Sequence, residues 1–195
     1  MRLLQDWLSE QAERRPAAPA LSWKGQVISY GELEGLANRL ARALIAHGCG
    51  RGDRVALLLP KGPLAIASML AVLKADCSYT PLDTQNPATR IARVLGVLEC
   101  RCVLAAASTG GLLLDALQQL TGASLPVPGV ALLESEIDPA TCGASFGLDD
   151  LAAFSSEPPA WRNSSAAPAH ILFTSGSTGV PKGVVITHEI VIRFV

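Results

Sequence analysis

Charge is scarce in this 195-residue chain: 17% of its residues are Asp, Glu, Lys or Arg, against a usual share near 25%. An average chain of this length carries about 49 charges, so roughly 16 are missing. The 16 basic and 17 acidic residues leave a net charge of −1, with no basic stripe beyond Arg14-Arg15 and scattered Arg90, Arg93 and Arg101. No nucleic-acid phosphate footprint is expected. Long apolar runs are lacking too. The longest, Leu64 to Leu73, is broken by Ser68 and closed by Lys74, which is too short to span a bilayer. Gln5 and Asp6 interrupt Leu3-Leu4 before an apolar signal core forms, so a cytoplasmic chain with no membrane partner is expected.

Cysteine is limited to five residues, Cys49, Cys77, Cys100, Cys102 and Cys142, odd in number and irregular in spacing. That excludes a disulfide framework. One residue between Cys100 and Cys102 is not zinc-ligand spacing, and buried free thiols are the expectation. His47 sits at a helix end beside Gly48, while His170 and His188 are isolated, so no metal cluster is assembled in sequence. What is abundant is apolar surface. At 49% apolar residues and a mean hydropathy of +0.33, the chain is globular and long enough for one folded core.

The hydrophobic pattern predicts an α/β architecture. Leu4, Trp7 and Leu8 share helical spacing that stops at Arg14-Arg15-Pro16, and Ala20–Trp23 and Gln26–Tyr30 read as strands joined by Lys24-Gly25. Ser29 and Glu32 form a capping box, after which Leu33, Leu36, Ala37, Leu40 and Leu44 trace one apolar stripe ending at Gly48 and Gly50. Arg54–Leu59 reads as a strand buried on both faces. Pro63 opens a helix through Ala75, Asn86-Pro87 caps and opens another through Leu98, and Cys102–Ala106 follows as a strand. A helix over Leu112–Leu120 and a strand near Val130–Leu133 precede a Pro, Ser and Ala-rich loop at 155–168. Strands at His170–Thr174 and Val184–Thr187 then flank a Gly-rich loop, with a last helix from His188. Strands alternating with helices imply a mostly parallel sheet flanked by helices.

The loop carries the chemistry. Thr174, Ser175, Gly176, Ser177, Thr178, Gly179, Val180, Pro181, Lys182 and Gly183 read TSGSTGVPKG. Its glycines let backbone N–H groups approach an oxyanion, four hydroxyls add donors, and Lys182 supplies a point charge. This is a phosphate cradle suited to charge developing on a leaving group. It is not the ATPase P-loop, because Pro181 precedes the lysine and Gly183 follows it. A polar surface loop is the plain alternative.

At these residues the chain resembles the adenylate-forming ligases, which include nonribosomal-peptide adenylation domains, acyl-CoA synthetases and luciferases. HILFTSGSTGVPKGVVITH at 170–188 is similar to their signature phosphate loop, LKADCSYTPLDTQNPATR at 73–90 to a second core motif of the peptide-synthetase branch, and ISYGEL at 28–33 to an earlier strand-to-helix segment. Asp76 stands where that branch usually has Gly and Thr84 where it has Pro, which predicts a looser turn after Leu82-Asp83. Phe173 replaces a common Tyr.

The resemblance implies that a carboxylate attacks the α-phosphate of ATP, giving an acyl-adenylate and pyrophosphate. Thr174, Ser175, Ser177, Thr178, the amides of Gly176, Gly179 and Gly183, and Lys182 would engage the β and γ phosphates. It also implies that 1–195 is the N-terminal portion of a larger adenylation domain, ending just after the phosphate loop. Motifs for substrate choice, adenine, Mg2+ and the catalytic lysine would lie downstream, so no catalytic or metal-ligating residue is assigned. Glu189 reads as a first-turn helix residue. The expected state is an amino-acid adenylating ligase inactive alone, with a complementary C-terminal fragment or a carrier protein as partner. A non-catalytic nucleotide-binding module or gene remnant, and an acyl-CoA synthetase, are the alternatives. Strands such as Val55–Leu59 and Ile171–Thr174 are expected to lack cover, leaving an apolar face.

Overall fold

The structure is a computed structural model and describes residues 2–133, 143–174 and 180–194. Helix α1 (Leu4–Arg14) leads to a hairpin of β1 (Pro19–Trp23) and β2 (Gln26–Ser29). Lys24 and Gly25 both take positive φ, +48° and +82°, the turn that matches strand twist in a two-residue hairpin. Helix α2 (Tyr30–Ala46) begins where the capping box requires: Ser29 Oγ accepts the Glu32 N–H at 3.3 Å, and Glu32 accepts the Ser29 N–H at 2.8 Å. The hydrogen bonds from Ser29 hold the Glu32 carboxyl below its usual pKa.

Strand β3 (Arg54–Leu58), α3 (Pro63–Lys74), β4 (Ser78–Pro81), α4 (Ala88–Leu98), β5 (Cys102–Ala105), α5 (Gly110–Gly122) and β6 (Gly129–Leu132) follow in alternation. Then come β7 (Ala144–Gly147), β8 (Pro168–Thr174), β9 (Lys182–Thr187) and α6 (His188–Phe194). The main sheet has the order β7-β6-β5-β3-β4-β8-β9. Its pairs are parallel until the last, β8 with β9, which is antiparallel.

Strand alternation assigns the two faces of the core. On β3, Val55 and Leu57 pack with Leu40, Leu44, Ala71 and Val72 of α2 and α3, whereas Ala56 and Leu58 pack with Ile91, Leu95, Leu113 and Leu120 of α4 and α5. Helices therefore cover both faces, as a parallel sheet requires. This corrects the expectation for β3: every residue from Val55 to Leu59 is buried. Exposed apolar side chains are scattered over the surface, and one group, Leu172, Val184, Val185, Ile190 and Phe194, lies on β8, β9 and α6 at the sheet edge. Among the described residues, no helix is long and apolar enough to cross a membrane.

Other differences are local. Pro87 rather than Asn86 occupies the N-cap of α4, without a side-chain cap bond. The turn after Leu82 is closed by Asp83, whose side chain and carbonyl accept the Gln85 and Asn86 N–H groups, both at 3.0 Å. Those bonds act where the proline ring is absent at Thr84. Strands β4 and β7 are additions to the sequence reading.

Candidate functional site

The site is built from the β8–β9 hairpin. Both strands are apolar enough to pair, and their register sets Thr174 opposite Lys182 and Phe173 opposite Gly183. Thr174, Lys182 and Gly183 are exposed, and among the described residues Lys182 has no ion pair. Ser175, Gly176, Ser177, Thr178 and Gly179 lie outside the described residues. Gly183 has a packing role as well: a Cβ there would lie 3.0 Å from Ile171 Cγ2 and 3.2 Å from Phe173 Cζ. The absence of a side chain leaves room for Ile171 and Phe173 to pack close to the β9 backbone.

Because β8 runs parallel to β4, and β4 to β3, the hairpin leaves the sheet at its carboxyl edge. The segments after β3, β4 and β5 emerge at the same edge. In open α/β sheets this is the end at which ligands bind. The edge is tied together at Thr109, whose Oγ1 donates to the Leu58 carbonyl at 2.7 Å and accepts the Ala106 N–H at 3.1 Å.

A second group of residues, not singled out as functional in sequence, positions β8. Asp76 has a left-handed backbone, φ +59°, a conformation that favours Gly and is tolerated by Asp. Its carboxylate accepts the Arg162 N–H at 2.6 Å and the Asn163 N–H at 3.1 Å, so the residue that departs from the family pattern fastens the segment entering β8. The preceding stretch, 152–158, is fastened from α2: Asn38 donates to the Ser156 carbonyl, Arg39 to those of Ala152 and Phe154, and Arg42 to those of Glu157 and Pro158. Lys74 is fully buried, 2.8 Å from Glu34 Oε1 and 3.0 Å from Ser9 Oγ, with Trp161 at 4.9 Å beneath its ammonium. Burial lowers the Lys74 pKa while Glu34 opposes that shift.

Tyr79 on β4 pairs with His170 on β8, and their rings stack at 5.3 Å. Burial raises the Tyr79 pKa and lowers that of His170. His188 is fully buried at the start of α6, and its Nδ1 accepts the Leu4 N–H at 3.3 Å. Burial lowers its pKa as well. Only Asp76 carried a sequence signal, its place in a Gly position. Glu189 pairs with Arg193 within α6, in keeping with its reading as a helix residue. Among the described residues, no group of three or more His, Cys, Asp and Glu is arranged to hold a metal ion.

Residues 8–195 match the family described as AMP-binding enzyme. The chain belongs to the AMP-binding enzyme family. Among similar AMP-binding proteins is surfactin synthase subunit 3 of Bacillus subtilis (strain 168), 34% identical over 184 residues that make up 93% of this chain and 13% of that protein. The inhibitor-bound N-terminal domain of FACL13 from Mycobacterium tuberculosis superposes with a TM-score of 0.77 at 25% identity, over 97% of this chain and 45% of that one. The nonribosomal peptide synthetase FmoA3, in its α-methyl-L-serine-AMP-bound form, gives a TM-score of 0.76 at 27% identity, over 100% of this chain and 19% of that one. This AMP-binding chain therefore spans a minor part of the length of each relative.

Proposed function

We propose that this chain forms the triphosphate-gripping part of an adenylation unit that activates a carboxylate, in first place an amino acid, by attack on the α-phosphate of ATP. The observation that carries the reading is the β8–β9 register, which sets Thr174 across from Lys182, exposed and without an ion pair among the described residues, at the carboxyl edge of the sheet. In this reading Lys182, the hydroxyls of Thr174, Ser175, Ser177 and Thr178, and the amides of Gly176, Gly179 and Gly183 hold the β and γ phosphates. These donors are most useful as pyrophosphate leaves, because charge grows on the oxygens they face. The attacking oxygen comes from the substrate carboxylate, the bond from the α-phosphorus to the bridging oxygen breaks, and pyrophosphate departs with that electron pair. Mg2+ belongs to the proposed reaction as a counter-charge to the phosphates; no ligand for it is assigned here.

The amino-acid assignment draws support from the 34% identity to surfactin synthase subunit 3 and from the FmoA3 complex with α-methyl-L-serine-AMP. A carrier protein or a complementary C-terminal segment is proposed as partner, a cytoplasmic setting is proposed with it, and the 195 residues alone are proposed not to turn over. Calorimetric titration of ATP into wild type and Lys182→Ala tests the phosphate role. A charge-assisted hydrogen bond is worth about 1.5–3 kcal/mol, so a loss of roughly tenfold or more in affinity is expected. Equal affinity rejects the role of Lys182. Amino-acid-dependent ATP–pyrophosphate exchange by the 195-residue chain would reject the proposed insufficiency.

A further inference from the structure

A polar cavity lies at the opposite end of the sheet from the hairpin, where β3, β4 and β8 begin. Its volume is about 300 Å³, at the lower end of the range for small-molecule sites. Arg51 and Gly52 line it from the turn before β3, Asp76 and Ser78 from the start of β4, and Asn163 and Ser164 from the segment entering β8. Backbone bonds hold these walls in place. The Gly52 N–H donates to the Asp76 carbonyl at 3.0 Å, the Ser78 N–H to the Asp53 carbonyl at 2.9 Å, and the Ala167 N–H to the Ser164 carbonyl at 2.9 Å. The cavity is therefore preformed.

Its charges are unmatched. Asp76 is 8% exposed and Ser78 4%. The Asp76 carboxylate accepts the Arg162 and Asn163 N–H groups, but a carboxylate has about four acceptor sites, so it retains capacity for a charged donor. Arg51 is exposed and lines the same cavity, yet among the described residues neither it nor Asp76 has an ion pair, with each other or with a third group. The two amides that fix the carboxylate keep it from turning toward the guanidinium. Ser78 adds a hydroxyl that has no hydrogen-bond partner among the described residues. A guest with one charge would leave either the carboxylate or the guanidinium unmatched, whereas a guest with both signs matches each.

We propose that this cavity binds a small α-amino acid as its zwitterion, with the carboxylate on Arg51 and the ammonium on Asp76. The planar guanidinium fork suits a carboxylate, to which it can donate two parallel N–H···O bonds. The ammonium has three N–H donors, for which Asp76 and the Ser78 hydroxyl are the acceptors. Ala166, Ala167 and Pro168 complete the wall, an apolar surface suited to a short side chain. At φ +59° a glycine would be less strained than an aspartate, and Gly is what the peptide-synthetase branch usually has there. The ammonium acceptor is thus a departure of this chain from the family pattern. Because the cavity and the hairpin lie at opposite ends of the sheet, the test below and that of Lys182 succeed or fail independently.

The test is a titration of the nitrogen-15-labelled 195-residue chain with L-alanine, followed by amide NMR shifts. Saturable shifts are expected at the amides of Gly52, Ser78 and Asn163, with the Gly183 amide unmoved. Acetate and methylamine, which carry one charge each, should bind about tenfold or more weakly than alanine. Arg51→Gln, a change on an exposed turn, should weaken alanine binding by about tenfold or more. Asp76→Gly should do the same, and it removes the carboxylate while installing the residue that the backbone angle favours. Absence of a saturable shift, shifts centred on Gly183, or unchanged affinity in Arg51→Gln overturns the proposal. So does acetate binding as tightly as alanine, which would mean that Arg51 alone holds an anion.

Discussion

Strands β3 and β9 are similarly apolar, RVALL against KGVVIT, yet one is buried from its second residue onward and the other is the most open strand of the sheet. The difference lies in sheet position. β3 has β4 and β5 as neighbours and a helix layer on each face. β9 pairs on one side only, and Val184 and Val185 are each 51% exposed. Apolar composition thus marks a strand's capacity for burial, while the order of strands decides whether it is covered.

The largest effects should come from breaking the interior. Lys74→Ala leaves Glu34 beside an empty site and should cost about 3–5 kcal/mol, read from urea denaturation. Loss below about 1 kcal/mol would mean that the pair contributes little. Leu58→Ala, in the enclosed strand, should cost about 2–5 kcal/mol. The intermediate case is Asp76→Ala, which removes the acceptor for two backbone N–H groups and places a Cβ-bearing residue at φ +59° with no carboxylate to compensate. About 1–3 kcal/mol is expected, with earlier proteolysis within 155–165 as the local sign. At the edge, Val185→Thr should stay within about 0.5 kcal/mol, and a cost like that of Leu58→Ala would mean that something already covers β9.

A pH series sharpens the same contrast. His188 is held neutral by burial, with Asp6 and Asp76 favouring its charge and His170 opposing it. Its folded pKa lies below the unfolded value, so the unfolded chain binds the proton first as pH falls. Stability is then full above about pH 6.5 and declines below it. His188→Asn, which keeps an acceptor for the Leu4 N–H, should flatten that decline in pH-dependent denaturation. An unchanged slope would assign it to other groups.

Much of the fold was legible because it is coded locally. The Ser29–Glu32 box, the Lys24-Gly25 turn and the apolar stripe of α2 each lie within a few residues, and each appears as read. Strands β4 and β7 escaped because four residues each, SYTP and ASFG, hold too little alternation to stand out. The hairpin around the phosphate loop was visible as two apolar runs, but the second was read from Val184, whereas β9 begins at Lys182 because Lys182 and Gly183 pair with Thr174 and Phe173 despite lacking apolar side chains. The residues that position it were not. Asp76 acts on residues 86 and 87 positions away, and Lys74 on partners 40 and 65 away, distances at which a single sequence carries no pairing signal.

The hydrogen bond from the Leu4 N–H to His188 spans 184 residues, and it bears on the order in which the molecule is completed. Helix α1 packs against α2 and α3 and, at far greater sequence separation, against α6. Its Leu4 amide exchanges water for the His188 ring only when α6 is in place. Contacts that close the longest loops form late, so α1 can be received early by its helical neighbours and still be among the last helices to be locked.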